Sequence, residues 1–132
     1  MNPDSGEVTG TREDVGVGAG AELVFRRSGR DDPTDEQWLG LLVGGREVGT
    51  VLYHVCPVCR TALLHEIGIQ DDFQRHGYGT RAIEVLRADF PGYRWTTTPQ
   101  KTRSRPWWQR LQQSYPGEYQ AGRTCPHIDA QL

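Results

Sequence analysis

Lysine is nearly missing from this chain: Lys101 is the only one, and arginine carries almost all of the positive charge. Cysteine is sparse as well. Three cysteines cannot all pair within one chain, which argues against a disulfide framework and leaves a metal site or free thiols. Neither sign of charge dominates: the formal net charge is −2 and the isoelectric point about 6.1. Bulk electrostatics therefore give no reason to expect nucleic acid or an anionic membrane as a partner. No apolar run approaches the length of a membrane span, and the first residues lack the basic-then-apolar order of a secretory signal. The expectation is a soluble, cytoplasmic protein. At 132 residues the chain fits one domain able to bury a core without staples.

Residues 1–20 (MNPDSGEVTGTREDVGVGAG) hold few apolar side chains and are expected to form a flexible tail ahead of a domain over residues 21–132. Within that domain, AELVFRR at 21–27 reads as a strand, and SGRDDPTDEQ as a polar, turn-rich connection. Two apolar stretches joined at Gly44-Gly45 read as a hairpin, because that dipeptide accepts the positive φ of a tight turn. A further strand is expected at Thr61–Ile69 after the short connection CPVCR. Ile83, Leu86 and Phe90 then recur at helical spacing over Thr80–Phe90, and Pro91-Gly92 ends that helix. YRWTTT at 93–98 is β-branched and aromatic, hence strand. SRPWWQRLQQSY reads as a second helix, with Ser104 placed to cap it and Pro106 in its first turn. Strand, helix and strand through 61–98 predict a crossover between parallel strands, set in an otherwise antiparallel meander. The fold class is α/β (α+β), a mixed, mostly antiparallel sheet carrying helices.

The stretch QRHGYGT, 74–80, joins strand to helix through two glycines. A helix that opens behind such a turn offers unpaired amides and the positive end of its dipole, and glycine lets an anion come close to that backbone. The spacing lacks the closing Gly-Lys-Ser/Thr of a P-loop, and Ala82 stands where a dinucleotide fingerprint needs a third glycine. Gln74-x-x-Gly77-x-Gly79 instead resembles the Q/R-x-x-G-x-G/A motif of the GNAT acyltransferases. The likeness extends to its setting, from about Ala21 to Leu111: EIGI before the turn, the helix after it, then YRWTTT and the aromatic-led RPWWQRL.

That resemblance implies a GNAT-like fold and acetyl-CoA as cosubstrate, with an amine on a small molecule, peptide or protein as acceptor. It places the pyrophosphate on Gln74, Arg75, His76, Gly77, Tyr78, Gly79 and Thr80, and the pantetheine arm on the backbone of Ile67 and Ile69. Side chains at Gly77 or Gly79 are expected to push the phosphate away. Glu66 is the candidate base, expected on the half-buried face of Leu64 and Gly68. The family's tyrosine acid has no counterpart at Trp107-Trp108, since indole N–H is no acid at neutral pH; Tyr115, two turns on, is the substitute. The segment 28–37 is too short for the two helices that usually wall the acceptor site. That site is expected to be open or completed by a second copy of the chain, with apolar strand faces left exposed. A non-catalytic acyl-CoA-binding module and a zinc-stabilised interaction module are the alternative functions.

The cysteines all lie in two short motifs, CPVC at 56–59 and CPH at 125–127. Cys56, Cys59, Cys125 and His127 form a Cys3His set of the kind that holds structural Zn2+; free or redox-labile thiols are the other reading. His54 or His65 is an alternative fourth ligand.

Overall fold

The computed structural model describes residues 22–132, so the tail expected over 1–20 lies outside the described residues. The described residues form six strands: β1 Leu23–Gly29, β2 Gln37–Val43, β3 Arg46–Cys56, β4 Thr61–Ile69, β5 Arg94–Thr97 and β6 Gln120–Ala121. Helix α1 (Tyr78–Asp89) links β4 to β5, α2 (Arg105–Ser114) follows β5, and α3 (Pro126–Asp129) is a short C-terminal turn of helix. The strands lie in sequence order within one sheet. Pairing is antiparallel through β4 and parallel from β4 to β5 and from β5 to β6. Among the described residues, no helix is long and apolar enough to cross a membrane.

Local chemistry accounts for most of these elements. Gly44 and Gly45 both take positive φ, 61° and 81°, in the two-residue turn between β2 and β3, as their lack of Cβ permits. In α1 the apolar stripe Ala82, Ile83, Val85 and Leu86 is buried against the sheet, as its spacing predicts. Trp108 and Leu111 of α2 join the same core, which includes Phe25, Leu41 and Val51 from the strands. Pro106 sits in the first turn of α2, but Ser104 makes no side-chain cap bond. A 3-10 turn at Thr102–Ser104 runs straight into the helix, so Ser104 is part of the incoming coil.

The opposite sheet face is open over most of its length. Arg26, Ser28, Gly40, Thr50 and Glu66 line it together with Trp38 and Leu52, so the short 30–36 connection uncovers a mixed surface in which polar and apolar groups alternate. Only its lower end is packed, where α3 lays Ile128 on Cys56 and Leu63.

Arg87, in the last turn of α1, sends both terminal nitrogens to Glu118 at 3.3 Å and one to the Tyr119 hydroxyl at 3.2 Å. Glu118 also accepts the Trp95 amide at 3.1 Å. Glu118→Ala strips a buried amide of its acceptor while freeing Arg87. We expect a loss of about 1–3 kcal/mol, read as a melting temperature several degrees lower; an unchanged melting curve would show that the brace carries no stability.

Candidate functional site

Strands β4 and β5 fork. They pair only from Thr61 opposite Arg94 to Leu64 opposite Thr97. Thr98 closes the paired region, its amide on the Leu64 carbonyl at 3.2 Å and its hydroxyl on the His65 carbonyl at 2.7 Å. Beyond it, among the described residues, the edge of β4 has no strand partner on that side. Ile69 turns its carbonyl to this open side, where it accepts Gln74 Nε2 at 2.8 Å. Alternation turns the peptide groups of Ile67 the same way.

The open edge ends at the glycine turn. Gly77 is the N-cap of α1 in a left-handed conformation, φ 79° and ψ 9°, and no side chain caps the helix. The first in-register bond from the turn is Arg81 N–H to the Gly77 carbonyl at 3.0 Å, which leaves the amides of Tyr78, Gly79 and Thr80 facing outward as helix-start donors. Arg75 also holds a left-handed φ of 67° and is exposed; His76 stacks on Tyr78 with ring centroids 5.4 Å apart.

The two glycines play different parts. A Cβ on Gly77 would meet nothing within 4 Å, so space lies open in front of the turn. A Cβ on Gly79 would stand 3.2 Å from Trp107 and 3.5 Å from Ile69. Gly79 thus also makes room for the Trp107 indole, a packing role beyond the expected approach of a phosphate. Gln74 is likewise a brace, tying the turn to Ile69 and, at 3.3 Å, to Asp71.

Glu66 is moved by a bulge. The register slips so that Leu52 faces Glu66 and Tyr53 faces Leu64, leaving His65 as the extra residue. Leu64 stays in the helix-side core, while Glu66 joins Gly68, Trp38 and Thr50 in an open groove of about 850 Å³ on the other face. The shared face with Leu64 and the half-burial expected from simple alternation are both lost; Glu66 is exposed. Tyr115 is not brought here. It ends α2 with the Arg87 guanidinium 4.0 Å from its ring centre, at the far end of the helix whose Trp107 touches the first turn of α1. A 10-residue helix does not bend its last residue back to the groove.

Cys56, Cys59, Cys125 and His127 are brought together, with their ligand atoms within 4.8 Å of one another. His127 Nδ1 lies 3.5 Å from Cys56 Sγ and 3.4 Å from Cys59 Sγ. Tetrahedral angles at normal zinc bond lengths put sulfur and nitrogen about 3.6 Å apart. The CPVC turn is folded as a knuckle: the Cys59 amide points at Cys56 Sγ at 3.4 Å, and Arg60 N–H closes on the Cys56 carbonyl at 2.8 Å. Burial, followed by its thiol neighbours, pushes Cys59 up to about 11. Burial also opposes ionisation of Cys125, but the Thr61 hydroxyl and the Ile128 amide outweigh it and bring that thiol to about 6. The donor set fits a four-coordinate cation. His54 and His65, considered as ligands, instead bond to each other at 3.2 Å, a pairing for which the sequence carries no signal because the bulge creates it.

The profile of the acetyltransferase (GNAT) family matches residues 12–112. No curated protein matches the chain. Among solved structures, YhhK from E. coli, bound to coenzyme A, superposes with a TM-score of 0.55 at 17% identity, over 71% of each chain. The aminoglycoside N-acetyltransferase AAC(6')-Iy in complex with CoA gives 0.55 at 12% identity, over 83% of this chain and 95% of that one. The ribosomal-protein-alanine N-acetyltransferase of Brucella melitensis biovar Abortus 2308 gives 0.50 at 18% identity, over 68% and 69%. At such identities the likeness is one of fold.

Proposed function

The chain belongs to the acetyltransferase (GNAT) family, and on that premise we propose that it transfers the acetyl group of acetyl-CoA to an amine. The fork between β4 and β5 carries this reading, because an open strand edge leads straight to an uncapped helix start. The pyrophosphate is assigned to the turn from Gln74 to Thr80, with Arg75 as a charged flank, and the pantetheine arm to the peptide groups of Ile67 and Ile69. The amine nitrogen attacks the thioester carbonyl carbon, the carbon–sulfur bond breaks, and CoA leaves as the thiolate once the nitrogen has lost its proton.

The acceptor enters from the open groove. Its carboxylates, Glu47 and Glu66, suit a cationic amine, and its openness admits an amine on a small molecule or on a peptide. Glu66 is the carboxylate assigned to meet the acceptor. Since it is exposed, its charge acts on the incoming ammonium before reaction. Glu66→Gln is expected to raise KM for the acceptor severalfold with a smaller fall in kcat; an unchanged KM would remove Glu66 from the site. The test of the function itself is an amine panel containing polyamines, aminoglycosides and peptide N-termini, read by thiol release and by mass spectrometry for an added acetyl group. CoA binding without transfer to any of them favours the second reading, a non-catalytic acyl-CoA module, which the placement of Trp107 and Tyr115 supports.

The cysteine cluster is assigned a structural Zn2+ held by Cys56, Cys59, Cys125 and His127. With four protein ligands such an ion has no open position for catalysis. Three unpaired thiols suit a reducing compartment, so the cytoplasm is the proposed location.

A further inference from the structure

A polar relay that none of the family features above uses lies at the point where β4 and β5 part. His54 is buried, 2% exposed. Its Nδ1 lies 2.9 Å from the Thr34 carbonyl, and its Nε2 lies 3.2 Å from Nδ1 of His65. A carbonyl only accepts, so His54 must carry its proton on Nδ1. In the neutral ring Nε2 is then an acceptor, and the proton on the His54–His65 bond belongs to His65 Nδ1. His65 Nε2 is left with a free lone pair. Each link fixes the next one, ending on an unprotonated nitrogen.

The position of that nitrogen's ring is equally constrained. His65 is the bulge residue, its carbonyl held by Thr98 at 2.7 Å where β4 and β5 part. It stands four residues back along the open edge from Ile69, about 13 Å from the residue that Gln74 ties to the turn. An arm anchored on that turn and lying along β4 ends beside it. His65 is half-buried and stacks on His54 with ring centroids 5.5 Å apart, whereas its neighbour Glu66 is exposed.

We propose that His65 Nε2 is the base that takes the proton from the acceptor amine, with His54 and the Thr34 carbonyl as positioning groups that fix its tautomer. This rests on the acetyl-transfer reading. The ammonium first gives one proton to solvent; the lone pair of the neutral amine then forms the carbon–nitrogen bond while its second proton passes to Nε2, giving an imidazolium whose Nδ1–H remains bonded to His54, and the carbon–sulfur bond breaks to release the thiolate. Glu66 draws the amine in; His65 deprotonates it.

Two measurements test this. In the first, His65→Gln and the wild-type protein are compared for CoA affinity by calorimetry and for transfer to the best amine of the panel. The expected result is an unchanged Kd for CoA, an acceptor KM within about twofold and a kcat lower by about 100-fold or more. A kcat retained within about twofold overturns the assignment while leaving acetyl transfer standing. Wild-type protein that binds CoA and transfers to no amine overturns acetyl transfer and this assignment together. The second measurement needs no variant and no turnover: nitrogen-15 NMR of the histidine rings should find both His54 and His65 protonated on Nδ1 in their neutral forms. A proton on Nε2 of neutral His65 overturns the relay even if His65→Gln proves poorly folded.

Discussion

Gly77→Asn is expected to leave the protein folded and to weaken CoA binding by about 10- to 100-fold. The backbone at 77 sits at φ 79°, a left-handed conformation that asparagine tolerates better than other residues with a Cβ. A Cβ there touches nothing within 4 Å in the free protein, so the fold gives no steric reason for glycine. The same open space is the approach to the amides of Tyr78, Gly79 and Thr80. A side chain standing in it displaces the pyrophosphate from at least one charge-assisted hydrogen bond, worth about 1.5–3 kcal/mol, which converts to the stated loss of affinity. Gly79→Val is the contrasting variant. Its side chain drives into Trp107 and Ile69, so it should lower the melting temperature, by an overpacking cost of about 1–3 kcal/mol, as well as CoA affinity. Calorimetric titration with CoA beside thermal melts separates the two. If Gly77→Asn bound CoA as wild type does, the pyrophosphate would not lie on this turn.

That contrast also shows what the sequence makes legible. The strands, both long helices and the glycine hairpin follow from period, turn chemistry and helix breakers, all of which act within a few residues. The resemblance of the 74–80 turn to the family motif was readable for the same reason, since the motif is contiguous. The packing of Gly79 against Trp107 is not readable there, because the two meet only through tertiary contact. Glu66 was misplaced by the bulge at His65: one extra residue reverses the face of everything after it, and nothing in TALLHEIGI marks the slip. The His54–His65 pair depends on that same bulge. The two-residue strand β6 and the four-residue α3 carry too little periodicity to be predicted. The Cys3His set, by contrast, was visible as two short motifs, and it depends on α3 docking to become one site.

Cys56→Ser should lower the melting temperature by about 10 °C or more and abolish stoichiometric zinc. The cluster joins the β3–β4 connection to the C-terminal segment through residues about 70 positions apart in sequence, Cys56 and His127, so a bound ion closes a long loop in the folded state alone. A ligand that binds only the folded chain adds its binding free energy to stability. For a domain of this size each kcal/mol lost moves the transition by several degrees. Serine keeps the volume and loses the thiolate, so the change reports the metal and not the packing of Leu63 and Ile128. Strand β4, nine residues long, separates the knuckle from the glycine turn by about 30 Å; CoA affinity should therefore stay near that of wild type at temperatures where the variant is folded. Effects on the acceptor side are a different matter. Gln131, just beyond α3, donates from Nε2 to Asp32 Oδ2 and Thr34 Oγ1 at 3.2 Å each, and the Thr34 carbonyl holds His54. Releasing the C-terminal segment loosens that turn, so turnover should fall while CoA affinity holds. Metal analysis finding no zinc in protein purified without chelator would remove the site, and loss of CoA binding in a folded Cys56→Ser protein would show that the cluster reaches further than its geometry allows.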